Sequence, residues 1–236
     1  ATLREGMTQY ELSENMTVAM RRLGGSEPWA LVGFGEASAF PHGSRKPQQL
    51  HEGDIVLLDA GCSVKGYQSD ITRTTVFGKP TARQTDIWNL ERRAQDAGFA
   101  AAQPGATCGS VDAAARKVIE KAGYGEYFTH RLGHGLGIDV HEAPYMVAHD
   151  KTLLEPGMTF TSEPGIYLPG RFGVRIEDDI LCTERGAESL SPRVERLERM
   201  GLQATDGKRQ LAQASRRQSL GGGIDGHQAG GMAARL

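Results

Sequence analysis

Five side chains, Asp59, Asp70, His134, Glu163 and Glu177, offer four carboxylates and one imidazole without a thiolate. That set suits a pair of hard or borderline divalent metals such as Mn, Co or Zn, because four anionic ligands offset four positive charges. Two such ions roughly 3.5–4 Å apart can share a hydroxide and polarise a carbonyl oxygen, so the chemistry implied is hydrolysis. Asp59 and Asp70 flank a Gly-containing turn. If the hairpin is centred on Val64-Lys65, the two carboxylates stand opposite each other on one face, which is destabilising unless a proton or cation intervenes. Two solvated acids beside a turn is the other reading of that pair taken alone. His134 is bracketed by glycines in Leu132-Gly133-His134-Gly135-Leu136-Gly137, with His130 and His141 nearby. Glu163 and Glu177 interrupt apolar strand text, where an unpaired charge is costly, and Arg175 is a candidate partner for either.

The elements that must hold these residues follow from periodicity. Thr8 and Glu11 have capping-box spacing, and Leu12, Met16, Ala19, Met20 and Leu23 share one face, which predicts a helix over 9–23 stopped by Gly24-Gly25. Residues 30–34, 54–59 and 71–77 read as strands. The pattern of Ile87, Leu90, Ala94, Ala97 and Ala101 predicts the longest helix over 81–102, and Val111, Ala115, Val118 and Ala122 predict another closed by Gly123. From 159 to 183, β-branched and aromatic residues interleave with Gly and Pro, as in strands joined by short turns. The order of helix, strands, two helices and strands predicts an antiparallel α+β fold.

The 236 residues carry 27 Lys and Arg against 29 Asp and Glu, a net charge of −2. No basic field of the kind nucleic-acid binders use is present, so nucleic acid is not an expected partner. No apolar run is long enough for a membrane span. Three cysteines, Cys62, Cys108 and Cys182, lack zinc-type spacing and form no even disulfide set, which fits a reducing cytoplasm. Residues 201–236 hold 8 Gly and five basic against two acidic side chains, with no aromatic residue. We therefore expect a catalytic domain over 1–195 and a Gly-rich, flexible tail over 196–236.

Six strings then carry a specific resemblance: Asp59-Ala60-Gly61, Ser69 to Thr74, Gly133 to Gly137, His141-Glu142-Ala143-Pro144, Ser162 to Tyr167, and Val174 to Asp178. In type and order they resemble the motifs of the pita-bread metallopeptidases, in the proline-specific branch of Xaa-Pro dipeptidase (prolidase) and aminopeptidase P. The resemblance spans residues 5–190 and implies a curved antiparallel sheet flanked by helices. It implies that Asp59 and Asp70 bind one metal, that Asp70 and Glu177 bridge both, and that His134 and Glu163 complete the second. Manganese is the first expectation, with cobalt or zinc as alternatives. It further implies Glu163 as proton shuttle for a metal-bridging hydroxide, His141 and His42 as catalytic groups at the substrate, His130 and Tyr167 as pocket residues, and Arg175 behind a ligand carboxylate.

The implied reaction is hydrolysis of Xaa-Pro bonds at the N-terminus of small proline-containing peptides. Such a bond is a tertiary amide with no N–H, so a dedicated ring pocket makes chemical sense. The resemblance implies a preceding domain that helps close the pocket and build the dimer in the relatives; the matching region here begins within the first few residues, which suggests a short form, a cleaved chain or a catalytic half, and the assembly expected by resemblance is a homodimer. The alternative function is an inactive pita-bread module that binds peptides or proteins. Such a module should show gaps in the ligand set, and this chain shows none.

Overall fold

Thr8 accepts from the backbone N–H of Glu11 while Glu11 accepts from that of Thr8, and this box starts α1, Gln9–Arg22. The computed structural model describes residues 3–201. Four strands follow, β1 Ser26–Phe34, β2 Ile55–Val64, β3 Tyr67–Gln68 and β4 Ile71–Phe77. Two helices come next, α2 Ala82–Ala101, opened by the Thr81–Gln84 box, and α3 Cys108–Lys121, capped by Thr107. The remaining strands are β5 Gly133–Gly135, β6 Glu142–Met146, β7 Thr159–Ser162, β8 Gly165–Leu168, β9 Phe172–Arg175, β10 Asp178–Thr183, β11 Gly186–Ser189 and β12 Glu198–Met200.

These strands form one sheet ordered β1-β2-β4-β12 with β3 on β2, a second ordered β11-β10-β7-β5-β6, and the pair β8-β9. Every described pairing is antiparallel except β12 on β4. The α+β, antiparallel expectation holds. Ile87, Trp88 and Ala94 of α2 and Val111, Ala115 and Ile119 of α3 are buried with Phe160, Ile166, Val174 and Ile180, so the two helices close one side of the strands that carry the acidic residues. Burying such side chains is worth about 1.5–3 kcal/mol each before chain entropy is charged. A smaller cluster, including Leu12, Val32, Phe34 and Val56, seats α1 on the first sheet.

Two expectations need correction. The hairpin turns at Lys65-Gly66, not Val64-Lys65: Val64 pairs with Tyr67, and both turn residues have positive φ, 54° and 87°. A two-residue turn of that type matches strand twist, and glycine tolerates its second position. Asp59 therefore faces Thr72, and Asp70 lies two residues back from Thr72. A slip of two residues leaves the face unchanged, so both aspartates still share one side. The second correction is the boundary at 195, because β12 adds to the sheet as far as Met200. A three-residue strand of Glu, Arg and Met carries little hydrophobic pattern, which is why it reads as tail. The rest of the tail, 202–236, lies outside the described residues.

Candidate metal centre

Each donor sits at a strand or a strand end, where the backbone fixes its direction. Asp59 belongs to β2, Asp70 precedes β4, His134 is the middle residue of β5, Glu163 follows β7, and Glu177 fills the gap between β9 and β10. The glycines beside His134 have a steric reason. A Cβ on Gly133 would lie 1.9 Å from the Thr161 carbonyl oxygen, and one on Gly135 would lie 2.5 Å from that of Ala143. Only glycine lets β6 and β7 crowd β5 this closely and push the imidazole into the centre. The two sheets are joined at the same place, since Thr72 O accepts from Glu177 N–H at 3.1 Å and Asp179 Oδ2 from Asp70 N–H at 3.3 Å.

The five donors converge in two triads, and a nitrogen of His141 makes a third with Asp70 and His134. Single oxygens of Asp59, Asp70 and Glu177 lie within 4.8 Å of one another, and so do those of Glu163 and Glu177 with a nitrogen of His134. Glu177 is common to both. His134 Nε2 also lies 3.7 Å from Asp70 Oδ2 and 3.4 Å from Glu163 Oε1. His134 Nδ1 faces the Gly135 carbonyl oxygen at 2.9 Å. A carbonyl can only accept, so Nδ1 carries the hydrogen and Nε2 presents a lone pair to two carboxylates. Burial lowers the imidazole pKa to about 4, which keeps it from solving the conflict by protonation. Asp59 Oδ1 and Asp70 Oδ1 are buried with no hydrogen-bond partner. Acceptors turned inward on one another, with orphaned oxygens among them, fit divalent cations.

The carboxylates show the same conflict. Burial, then the neighbouring Asp59 and Glu163, pushes Asp70 up to about 9. Glu163 rises to about 7, chiefly through burial, with Arg175 opposing the rise, and burial also carries Glu177 well above the usual carboxylate range. Without a cation the cluster holds protons that ligation would displace.

A frame of hydrogen bonds orients the donors. Arg175 donates to Asp59 Oδ2 at 2.6 Å, to Thr72 Oγ1 at 3.0 Å and to the Tyr167 hydroxyl at 2.8 Å, while Thr72 donates to Glu177 Oε2 at 2.6 Å. Of the two candidate partners read from the sequence, neither takes Arg175 closely; Glu163 is 4.0 Å away. Thr161 links His134 N–H to Glu163 Oε1. Thr72 and Thr161 escape a sequence reading because threonine in a strand carries no chemical signal of its own.

One cavity of about 800 Å³ is lined by all five donors together with His42, His130, His141 and Arg175. The imidazoles of His134 and His141 meet edge to face, centroids 4.2 Å apart. Burial lowers the pKa of His141, and that of His130 to about 4. Tyr167 differs from expectation. Its ring is buried outside the lining, and its hydroxyl bridges Arg175 and His130 Nε2, so it braces the wall rather than forming it. His51 and His149 are exposed, as expected. The sequence also gave no warning of Trp29, Leu31, Arg131 and Tyr145 in the lining.

Residues 1–184 match the model of metallopeptidase family M24. The chain belongs to this family. It is 41% identical over 189 residues to the Xaa-Pro dipeptidase of Pyrococcus furiosus, a match covering 79% of this chain and 54% of that protein. The crystal structure of dipeptidase PepE from Mycobacterium ulcerans superposes with a TM-score of 0.82 at 42% identity, over 85% of this chain and 54% of that one. X-Pro aminopeptidase from Thermotoga maritima superposes with 0.81 at 35% identity, over 85% and 57%. The pita-bread fold implied by the motifs is therefore present. The chain spans about half the length of the relatives it matches, and family membership carries divalent-metal dependence with it. Among the described residues no helix is long and apolar enough to cross a membrane.

Proposed function

We propose that this chain carries the catalytic site of an exopeptidase that splits Xaa-Pro bonds of small peptides with two divalent metal ions, manganese first, cobalt or zinc as substitutes. The supporting observation is the lone pair of His134 Nε2 set against the carboxylates of Asp70 and Glu163, with Glu177 shared by both triads. Asp59, Asp70 and Glu177 would hold one ion and His134, Glu163 and Glu177 the other, with Asp70 reaching both. Bound there, such ions supply an acidified water and a polarised carbonyl.

The chain's own groups do the rest. Glu163 Oε accepts the proton of the attacking water and returns it to the proline nitrogen as the bond breaks, a shuttle that its place at the end of β7, beside His134 on the cavity wall, permits. His141, kept neutral by its depressed pKa, donates an N–H to the oxygen that gains charge. His42 and His130 stand on the same cavity wall to orient the peptide, and Arg175 holds Asp59 in place. Trp29, Leu31, Val140 and Val147 offer apolar surface for the proline ring and keep water away from it. The three cysteines are unpaired, which supports a reducing, cytoplasmic setting.

The test is hydrolysis of an Xaa-Pro dipeptide, an Xaa-Pro-Yaa tripeptide and an Xaa-Ala control with manganese bound. Cleavage confined to proline-containing substrates is expected. Inactivity on all three with full metal occupancy would favour the binding-module alternative.

A further inference from the structure

Ile176 and Glu177 lie in the gap between β9 and β10, where the strand ladders stop. The pairing of β8 with β9 ends at Gly165 with Arg175, and that of β7 with β10 begins at Ser162 with Asp178. The four backbone groups of the two gap residues are nevertheless all satisfied, as buried amides must be. Glu177 N–H donates to the Thr72 carbonyl at 3.1 Å, and Arg73 donates to the Glu177 carbonyl. The other two groups are held by α2. Ile176 N–H donates to Glu91 Oε1 at 3.2 Å, and Gln95 Nε2 donates to the Ile176 carbonyl at 3.2 Å. The same Nε2 reaches the Ser162 carbonyl at 3.3 Å and Asp178 Oδ2 at 3.0 Å. Arg92 donates to Gln95 Oε1, which turns the N–H side of the amide toward the strands.

Glu91 and Gln95 are four residues apart on one face of α2, 0% and 1% exposed, in the company of Ile87, Trp88 and Ala94. Polar side chains in such a place cost stability unless their bonds are needed, and Glu91 Oε2 has no hydrogen-bond partner among the described residues. What the pair holds is the residue before each of two metal donors, since Ser162 precedes Glu163 and Ile176 precedes Glu177. Resting on the two-metal reading above, we propose that Glu91 and Gln95 are positioning residues that fix Glu163 and Glu177 through their backbone and so set the spacing of the two ions. Neither lines the cavity, so neither meets substrate. A carboxylate shared by two ions has to be held to within about 0.5 Å. Strand pairing does not reach Glu177; β4 supplies half of the hold and α2 the other half.

The experiment titrates manganese into the whole chain, followed by electron paramagnetic resonance and a thermal melt, for the unaltered protein, Glu91→Gln, Glu91→Met, Gln95→Met and Ile87→Ala. Burial raises the Glu91 pKa well above the usual carboxylate range, so a carboxamide keeps both the neutrality and the acceptor. Glu91→Gln should therefore retain two ions and the coupled signal of the unaltered protein. Glu91→Met and Gln95→Met should lose that signal and bind the second ion about 10- to 100-fold more weakly, the range for a group that supports a metal ligand. Ile87→Ala opens a cavity under the same helix without touching these hydrogen bonds, and should lower Tm while keeping the coupled pair. A coupled pair that survives both Met substitutions overturns the proposal and leaves the two-metal reading intact. Equal loss of the pair in Glu91→Gln or in Ile87→Ala overturns it too, because the effect then does not depend on the bonds to Ile176 and Ser162. Should only one Met variant fold, its signal decides; failure of both to fold makes the pair a brace of the core and overturns the proposal. An unaltered protein that binds a single ion removes the two-metal reading and the proposal with it.

Discussion

Replacing Arg175 by Met keeps an unbranched side chain of similar length and removes the charge that holds Asp59. Arg175 is 3% exposed and the Asp59 side chain 15%, and the substitution strips donors from Asp59 Oδ2, Thr72 Oγ1, the Tyr167 hydroxyl and the Pro41 carbonyl. Breaking a buried pair from one side costs about 3–5 kcal/mol. Asp59 retains some contact with water and Tyr167 keeps His130 as a partner, so the lower end applies, about 3 kcal/mol for the metal-free protein. At this chain length 1 kcal/mol moves Tm by roughly 2–4 °C, giving a drop of about 6–12 °C in a thermal melt. Arg175→Lys should lose about half as much, because the ammonium keeps the charge but cannot span Asp59, Thr72 and Tyr167 together. With Asp59→Asn as the second arm of a double-mutant cycle, the two losses should fall short of additivity by about 1–3 kcal/mol. A Tm for Arg175→Met within 2 °C of the unaltered protein, or additivity within about 0.5 kcal/mol, would refute the reasoning.

Other expectations follow from the same site. Asp70, Glu163 and Asp179 have folded pKa values of about 9, 7 and 7, raised above unfolded values near 4, chiefly by burial. The stability each contributes is therefore fully present below about pH 4 and lost as pH rises toward the folded value, the loss being complete near 7 for Glu163 and Asp179 and near 9 for Asp70. His134 and His130, lowered to about 4, act in the opposite sense, but only below about 6.5. Between pH 6.5 and 9 the metal-free protein should lose on the order of 3 kcal/mol through Asp70 alone, read by urea titration, and a flat profile would count against the cluster as described. The stabilisation on adding manganese should grow over the same range, because ligation displaces those protons. Glu163→Gln should cut kcat by about 10²–10⁴-fold in a peptidase assay while the fold survives. Gly133→Ala should destabilise by more than about 2 kcal/mol in urea, since its Cβ would collide with the Thr161 backbone.

How much of this is legible in the chain depends on scale. The common face of Asp59 and Asp70 follows from strand period alone and survives the displaced turn, because an even slip preserves side. The first helix announces itself through Thr8–Glu11 spacing and the second through the apolar period from Ile87 to Ala101, and both form. The turn falls at Lys65-Gly66 because glycine at 66 takes the positive φ its second position requires, a local preference that symmetry about Val64-Lys65 ignores. Strands β5 and β12 are three residues each, too short for periodicity to register. Glu91 and Thr72 gain meaning only from what the fold brings near them, the Ile176 amide in one case and Glu177 with Arg175 in the other. The sequence pattern names donors; it does not name the frame that aims them.

The most direct measurement is a manganese titration of the purified chain followed by electron paramagnetic resonance. On the proposed reading two ions per chain are expected, with the broadened signal of a magnetically coupled pair, because Glu177 is common to both triads and Asp70 Oδ2 lies 3.7 Å from His134 Nε2, so both carboxylates would be shared. Asp70→Asn should lose the coupling and at least one ion. Saturation at a single ion, or an Asp70→Asn variant that binds two ions with the coupled signal intact, would contradict the account.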